Sequence, residues 1–132
     1  MADLSKFQVY NDTLQLVNAT MKSHKHFIRE FKYTIGDQIV VKALELMDLI
    51  GNGLREYKDR GKKEYYFREA IKRTDEIESR ILLAGDNGCM DNEHMGWYID
   101  TVPNIRKQLE GLANSTHARQ NGLSTDGQRT CD

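Results

Sequence analysis

Apolar side chains recur at intervals of three and four residues through four stretches of the chain. That spacing is typical of one face of an amphipathic α-helix. It predicts helices from about residue 4 to the high twenties, over about 34–58 and 62–85, and from about 91 to 115. The apolar stripes of the first, third and fourth helices are Phe7, Tyr10, Leu14, Val17 and Met21; Phe67, Ala70, Ile71, Ile77, Ile81 and Ala84; and Met95, Tyr98, Val102, Ile105, Leu109 and Leu112.

The predicted second helix carries two neighbouring apolar rows. The first row comprises Ile35, Ile39, Ala43, Leu46 and Ile50, and the second comprises Val40, Leu44 and Met47. A stripe this wide can be buried on two sides. We therefore expect the first row to face the protein's own core, and the second row to form an interface between subunits.

Residues suited to helix ends mark the connections. Thr34 can cap the second helix, because its hydroxyl can accept a hydrogen bond from a free N–H of the first turn. Gly61 suits the position just after that helix, and Asp91 or Asn92 can cap the fourth. Pro103 lacks the N–H of a helical hydrogen bond, so the fourth helix either kinks there or restarts.

Four amphipathic helices with short connections predict an all-α, up-down-up-down four-helix bundle. At 132 residues the chain has room for one core, so we expect one domain over residues 1–115. Residues 116–132 are polar and contain two glycines, which predicts a flexible tail. No stretch is apolar over the ~18 residues of a transmembrane helix, and no signal peptide is evident, so we expect a cytoplasmic protein.

Charge is distributed unevenly, although the formal net charge is only −1. Residues 22–32 have a net charge of +3, residues 55–73 of +4 and residues 75–110 of −5. Dense clusters of Lys and Arg bind the phosphates of nucleic acids, whereas solvated helix faces with internal ion pairs are the competing interpretation. The candidate nucleic-acid or partner-binding residues are Lys22, Lys25, Arg29, Lys32, Arg55, Lys58, Arg60, Lys62, Lys63 and Arg73.

The residue spacings of common enzymes and metalloproteins are missing. A di-metal bundle needs Glu-x-x-His on two helices, and the nearest pattern here is a single Asp91-x-x-His94. No phosphate-binding glycine loop, nucleophile elbow or zinc-protease motif occurs. Cys89 and Cys131 have no metal-binding spacing, and we interpret both as free thiols. We therefore expect no catalytic activity, no metal and no cofactor.

Two stretches resemble a known family of small four-helix-bundle proteins. Residues 27–50 read FIREFKYTIGDQIVVKALELMDLI and resemble the family signature F-P-K-x-E-[RK]-[YF]-x-L-G-x-x-I. The matching positions are Phe27, Lys32, Tyr33, Ile35, Gly36 and Ile39, while Ile28 stands where the family has proline. The segment IRKQLEGLANS is similar to the family's closing segment, with Leu109 and Gly111 in register.

The family comprises the accessory variability determinant of diversity-generating retroelements and the proteins encoded in intervening sequences of bacterial 23S ribosomal RNA genes. The second branch commonly has N-I-A-E-G where this chain has Leu49–Gly53, so the retroelement branch is favoured. That resemblance implies a homopentameric, barrel-like ring that binds a reverse transcriptase and its template RNA without catalysing cDNA synthesis. The alternatives are an intervening-sequence protein, or a helical oligomeric adaptor without nucleic-acid binding.

Overall fold

The computed structural model describes residues 3–122, with side chains as far as Arg119. Its main helices are α1 (Gln8–His24), α2 (Asp37–Arg55), α3 (Arg60–Asp86) and α4 (Asn92–Gly122). A 3₁₀ turn (Leu4–Lys6) precedes α1, and a single α-helical turn (Arg29–Phe31) followed by a π-helical turn (Lys32–Gly36) leads into α2.

Each helix packs against the next one in the chain, and α4 packs back against α1. The described residues contain no β-strand. Successive helices joined by short connections run antiparallel, so this order is an up-down-up-down arrangement. The predicted all-α four-helix bundle is confirmed.

The core is formed by apolar side chains from all four helices. The buried side chains of α2, α3 and α4 include Ile39, Ala43, Leu46, Ile50, Phe67, Ala70, Ile77, Ile81, Ala84, Tyr98, Val102, Ile105 and Leu109. These residues belong to the predicted stripes, which are therefore confirmed for three helices. Ile71, Met95 and Leu112 lie at the edge of the core and are half-buried.

The predicted stripe of α1 is wrong in its direction. Leu14 is 43% exposed and Met21 is 42% exposed, whereas Thr13 and Thr20 are buried. Each buried hydroxyl donates to a carbonyl of its own helix, as when Thr13 Oγ1 contacts the Val9 oxygen at 2.7 Å. Once its hydroxyl is satisfied, a threonine packs as an apolar side chain. The buried face of α1 is therefore rotated from the predicted stripe, toward Val9, Thr13, Leu16, Val17 and Thr20.

The start of α2 also differs from the prediction. Thr34 lies inside the π-helical turn and its hydroxyl donates to the Phe31 carbonyl at 3.2 Å, so it does not cap the helix. Gly36 is buried beneath His24 and Phe27, and a Cβ there would lie 3.1 Å from ring atoms of both. This close approach explains why a glycine ends the turn.

The connection between α2 and α3 is longer than predicted. Helix α2 ends at Arg55, and Gly61 is the second residue of α3 instead of the residue after α2. The N-cap of α3 is Asp59, whose carboxylate accepts from the Lys62 N–H at 3.0 Å. Four residues, 56–59, therefore form the connection.

Helix α4 is continuous through Pro103, so the alternative of a restart is excluded. Its N-cap residue is Asp91, whose carboxylate accepts from the His94 N–H at 2.9 Å. The helix continues past residue 115 to Gly122, with Thr116 buried. Residues 123–132 of the predicted tail, including Cys131, lie outside the described residues.

Candidate nucleic-acid interface

The candidate basic residues divide between the two ends of the bundle. Lys22 and Lys25 lie at the end of α1, and Arg29 and Lys32 follow in the α1–α2 connection. Arg55 to Lys63 lie at the α2–α3 connection, at the opposite end of α2. The 19 residues of α2 separate the two groups by about 28 Å at 1.5 Å per residue. Within one subunit they are two separate clusters.

Arg73 belongs to neither cluster. It lies midway along α3, where its guanidinium contacts Glu45 of α2 at 3.0 Å and Glu76 at 3.4 Å. Two carboxylates already share its charge. Arg73 therefore holds α2 against α3 and is a poor candidate for a phosphate contact.

Lys63 also has a structural role. Its ammonium donates to the carbonyl of Gly53 at 2.7 Å and to that of Glu56 at 3.1 Å. These carbonyls lie at the C-terminal end of α2, where a cation is favoured by the helix dipole. Burial is the main cause that lowers the pKa of Lys63, followed among the lowering effects by the nearby charges of Arg119 and Arg60, while Glu56 raises it.

Lys58, Arg60 and Lys62 are exposed, and none forms an ion pair with another described residue. Their acidic neighbours are directed to backbone groups instead. The Glu56 carboxylate accepts from the N–H groups of Lys58 and Asp59 at 3.2 and 3.0 Å, and Asp59 caps α3. The acids of the connection thus satisfy helix ends, while its cations face solvent.

Exposed aromatic rings accompany these cations. Tyr57 is 83% exposed with the Lys58 ammonium 5.8 Å from its ring centroid, and Tyr65 is 58% exposed. The Lys62 ammonium lies 5.9 Å from the ring of Tyr66. Exposed aromatic rings beside cations can stack on unpaired bases while the cations contact phosphates.

Arg119 joins this end of the bundle, and the sequence analysis missed it. It lies in the last described turn of α4, close enough to Lys63 for its charge to lower the pKa of that ammonium. The polar composition of residues 116–132 predicts a tail, whereas residues 116–119 continue α4. The signal that identifies them as helix is the continued three- and four-residue spacing from Leu109 through Ala113 to Thr116, all buried. We call Arg55, Lys58, Arg60, Lys62, Lys63 and Arg119 the basic end.

The residues predicted at a subunit interface lie along the seam between α1 and α2. A Cβ on Gly51 of α2 would meet Tyr10 of α1 at 3.8 Å, which places these two positions in the seam. Val40, Leu44 and Met47 lie eleven, seven and four residues before Gly51, so they share its side of the helix. All three are half-buried.

The seam continues onto α1 as an exposed apolar surface. Leu14 and Met21 follow Tyr10 at helical spacing and are the exposed part of the stripe predicted for α1. We call Leu14, Met21, Val40, Leu44 and Met47 the apolar seam. Its α2 half is partly covered by the protein's own core, since Leu44 and Met47 pack against it.

The side chains of His94, Asp91 and Cys89 are candidates for metal binding or redox chemistry, and each has a defined environment within the protein. The ring of His94 contacts Asp91 through Nδ1 at 2.7 Å, beside the cap that Asp91 provides for α4. Among the described residues, no group of three or more His, Cys, Asp or Glu side chains is placed to hold a metal ion. Cys89 is a free, buried thiol whose pKa is raised by burial and lowered in part by a hydrogen bond from the Ile28 backbone.

No helix within residues 3–122 combines the length and apolar character needed to cross a membrane. No protein-family model matches the chain, and no curated protein matches it. The chain is similar to a crystal structure of a protein of unknown function from the S23 ribosomal protein family of Bacteroides thetaiotaomicron VPI-5482. The TM-score is 0.73 at 17% sequence identity, over 80% of this chain and 97% of that one. This likeness establishes the four-helix fold.

Proposed function

We propose that the protein is a non-enzymatic accessory factor of a diversity-generating retroelement, which binds the element's reverse transcriptase and its template RNA. The observation that carries the proposal is the basic end. There, Lys58, Arg60 and Lys62 lie in solvent without an ion-pair partner among the described residues, beside the exposed ring of Tyr57. Charges three or four residues apart on a solvated helix face can pair with one another, and these three cations form no such pair with a described residue.

The distribution of acidic residues supports nucleic-acid binding by a protein with a net charge of −1. In the middle of the bundle, carboxylates are matched by cations. Arg106 contacts Asp75 and Glu78, both at 3.1 Å, and Lys42 contacts Glu76 at 3.1 Å. RNA phosphates therefore meet a locally positive surface at the basic end, while these three carboxylates are paired with cations within the bundle.

The proposed assembly is a homopentamer formed through the apolar seam. Contiguous exposed apolar surface on a small protein is typical of an interface. A closed ring would repeat the basic end once in each subunit, so one RNA could contact several copies. Repetition would compensate for the small number of unpaired cations that each subunit offers.

An intervening-sequence protein of 23S ribosomal RNA genes is the second candidate. The neighbour from the S23 ribosomal protein family favours it, because that protein shares the fold over nearly its whole length. Gene context distinguishes the two candidates. A reverse-transcriptase gene with a near-duplicate repeat pair supports the retroelement, whereas insertion within a 23S gene supports the second candidate.

Salt-dependent RNA binding tests the proposed role of the basic end. Replacing Lys58 and Lys62 together with Gln should weaken binding to single-stranded RNA. It should also flatten the slope of log K against log salt by roughly 1.4, since each lost phosphate contact contributes about 0.7. The matched control replaces Lys72 and Lys107, which are exposed but lie elsewhere, with Gln.

An equal loss of RNA affinity in the two double variants would show that the basic end has no special role. A different result would change the proposed ligand of the basic end. Loss of reverse-transcriptase association in a pull-down, with RNA binding unchanged, would make the basic end a protein-docking surface instead of an RNA contact.

A further inference from the structure

A cleft lies between the last turns of α1 and the first turns of α4, at the opposite end of the bundle from the basic end. Its volume is about 330 Å³. Ala19, Trp97 and Tyr98 give it an apolar, aromatic lining, and Lys22, His26 and His94 supply nitrogen groups. An adjoining cavity shares both histidines and extends toward the α3–α4 connection.

The aromatic lining is held in place by contacts within the protein. The buried Tyr98 shares a hydrogen bond between its hydroxyl and the Ser23 hydroxyl at 2.8 Å, which ties α4 to α1. Trp97 packs edge-on against Tyr98, with ring centroids 5.1 Å apart. Trp97 is nevertheless 39% exposed, so part of its indole ring is open to the cleft. A large, partly exposed aromatic ring on a fixed support is suited to stacking on a flat ligand.

Lys22 favours an anion at the same place, because its ammonium group is positively charged. Lys22 is exposed on α1, and the segment 22–32 that begins with it has four Lys or Arg residues and one Glu. The Asp91 carboxylate, which lines the adjoining cavity, is already engaged by the ring and the N–H of His94. Nδ1 of His94 contacts the Asp91 carboxylate and therefore carries a proton, so Nε2 of a neutral ring can accept a hydrogen bond from a hydroxyl or amino group of the ligand.

We propose that this cleft binds a single nucleotide, with its base against Trp97 and its phosphate near Lys22 and His26. Stacking on an indole ring recognises the base, and the cationic side recognises the phosphate. A volume of about 330 Å³ is at the lower end of the range of ligand sites, so it suits one nucleotide and not a longer ligand. The site goes beyond the proposed function, since it lies apart from the basic end.

Fluorescence provides a direct test, because the chain has a single tryptophan and it lies in the cleft. Titration with each ribonucleoside monophosphate should give saturable quenching. Ribose 5-phosphate and inorganic phosphate, which have no base, should give none. Lys22→Gln should weaken nucleotide binding by about tenfold, as expected for the loss of a charge-assisted hydrogen bond. The matched control is Lys107→Gln, an exposed lysine of α4 outside the cleft lining, which should bind as the parent does.

A second pair of variants tests the stacking by calorimetry, which does not depend on the indole fluorescence. Trp97→Ala should weaken binding roughly tenfold or more, and Trp97→Phe should retain most of the affinity. Circular dichroism checks that each variant is folded. Tighter binding of a short single-stranded RNA than of the mononucleotides would identify an unpaired RNA base as the ligand, and the reverse order would identify a free nucleotide.

Three results would overturn the proposal. They are the absence of saturable quenching with every nucleotide at millimolar concentration, equal quenching by ribose 5-phosphate, and equal loss of affinity in Lys22→Gln and Lys107→Gln. The double variant of Lys58 and Lys62 should leave this quenching unchanged. Failure at the cleft is therefore distinguishable from failure at the basic end.

Discussion

Helix α2 packs against α1 on one side and against α3 on the other, and the side-chain contacts along these two seams differ. Toward α3, Lys42 contacts Glu76, Glu45 contacts Arg73, and Gln38 accepts from Arg80 at 2.7 Å. Toward α1, the contact of His24 with Asp37 is the one side-chain hydrogen bond that joins these two helices among residues 3–119.

The difference indicates which side of α2 has a polar border formed by its own chain. At the α2–α3 seam, ion pairs and hydrogen bonds form a polar border between the buried core and the solvent. The apolar seam beside α1 has a single such contact among the described residues, that of His24 with Asp37, and it leaves Leu14 and Met21 more than 40% exposed. A surface of this kind is stabilised by burial against another protein surface. The comparison therefore favours the α1 side of α2 as the location of the proposed subunit contacts.

A charge in the apolar seam should have the largest effect, the loss of assembly. Val40 is half-buried but is not among the residues packed against the core, so Val40→Glu should leave the bundle folded. Light scattering should report a stable oligomer for the parent and a monomer for the variant, with helical circular dichroism retained. The control is Leu82→Glu on α3, where a leucine that is 47% exposed lies away from the seam. A monomeric parent protein, or equal dissociation by both variants, would contradict the assignment.

Two glycines on α2 compare the packing of the two seams directly. A Cβ on Gly53 would lie 2.6 Å from the Phe67 ring of α3. One on Gly51 would lie 3.3 Å from the flexible end of the Arg55 side chain, and at ordinary distances of 3.6 Å from Leu4 and 3.8 Å from Tyr10. Gly53→Ala should therefore destabilise the fold by about 2 kcal/mol through overpacking. Gly51→Ala should be neutral or stabilising by up to about 1 kcal/mol, because alanine favours a helix more than glycine. Urea unfolding measures both, and equal costs would show that the seams are equally tight.

Substitutions of two neighbouring lysines at the start of α3 should affect different properties, one the stability of the fold and the other RNA binding. Lys63→Gln removes hydrogen bonds to the carbonyls of Gly53 and Glu56, and should cost about 1 kcal/mol of folding free energy. Lys62→Gln should leave stability unchanged and weaken RNA binding. Urea unfolding and RNA titration of both single variants check this separation. Parallel losses in both assays would show that the two lysines act together.

Sequence alone could predict the helices and the direction of three of the four stripes, because apolar residues there repeat at helical spacing. It could not orient α1, since Thr13 and Thr20 count as polar until their hydroxyls are seen to bond within the helix. Sequence also predicts the two apolar rows of α2, because their residues repeat at helical spacing. Their distribution between α1 and α3 depends on packing, which a single sequence does not encode locally.

The candidate site was predictable only as a cluster of charges. Lys62 and Lys63 are equivalent in sequence, and their roles differ because α2 ends at Arg55, which brings its last carbonyls within reach of Lys63. The prediction that Gly61 follows α2 obscured this contact. Arg73 was indistinguishable from an exposed cation, because its partner Glu45 lies on another helix.

The smallest predicted effect concerns acid pH and the charged border of the α2–α3 seam. A hydrogen bond from Lys42 is the main cause that lowers the pKa of Glu76 below its ordinary value of 4.5, with the charges of Lys42 and Arg73 adding to it. A lowered folded-state pKa means that Glu76 stabilises the fold above its unfolded-state pKa. That contribution is lost as the pH falls through the folded-state value.

Glu76→Gln should therefore lower the free energy of unfolding near pH 7 by less than about 1 kcal/mol, because the carboxylate is 41% exposed and its ion pair is screened by water. At an acid pH below the folded-state pKa of Glu76, where the parent carboxyl group is protonated, the difference between parent and variant should shrink. Urea unfolding at both pH values measures it. The matched control is Glu110→Gln, at an exposed glutamate of α4 that forms no ion pair with another described residue. If the difference in free energy of unfolding between parent and Glu76→Gln is the same at both pH values, the ion pairs do not stabilise this seam. Apolar contacts such as that of Gly53 with Phe67 would then hold the two helices together.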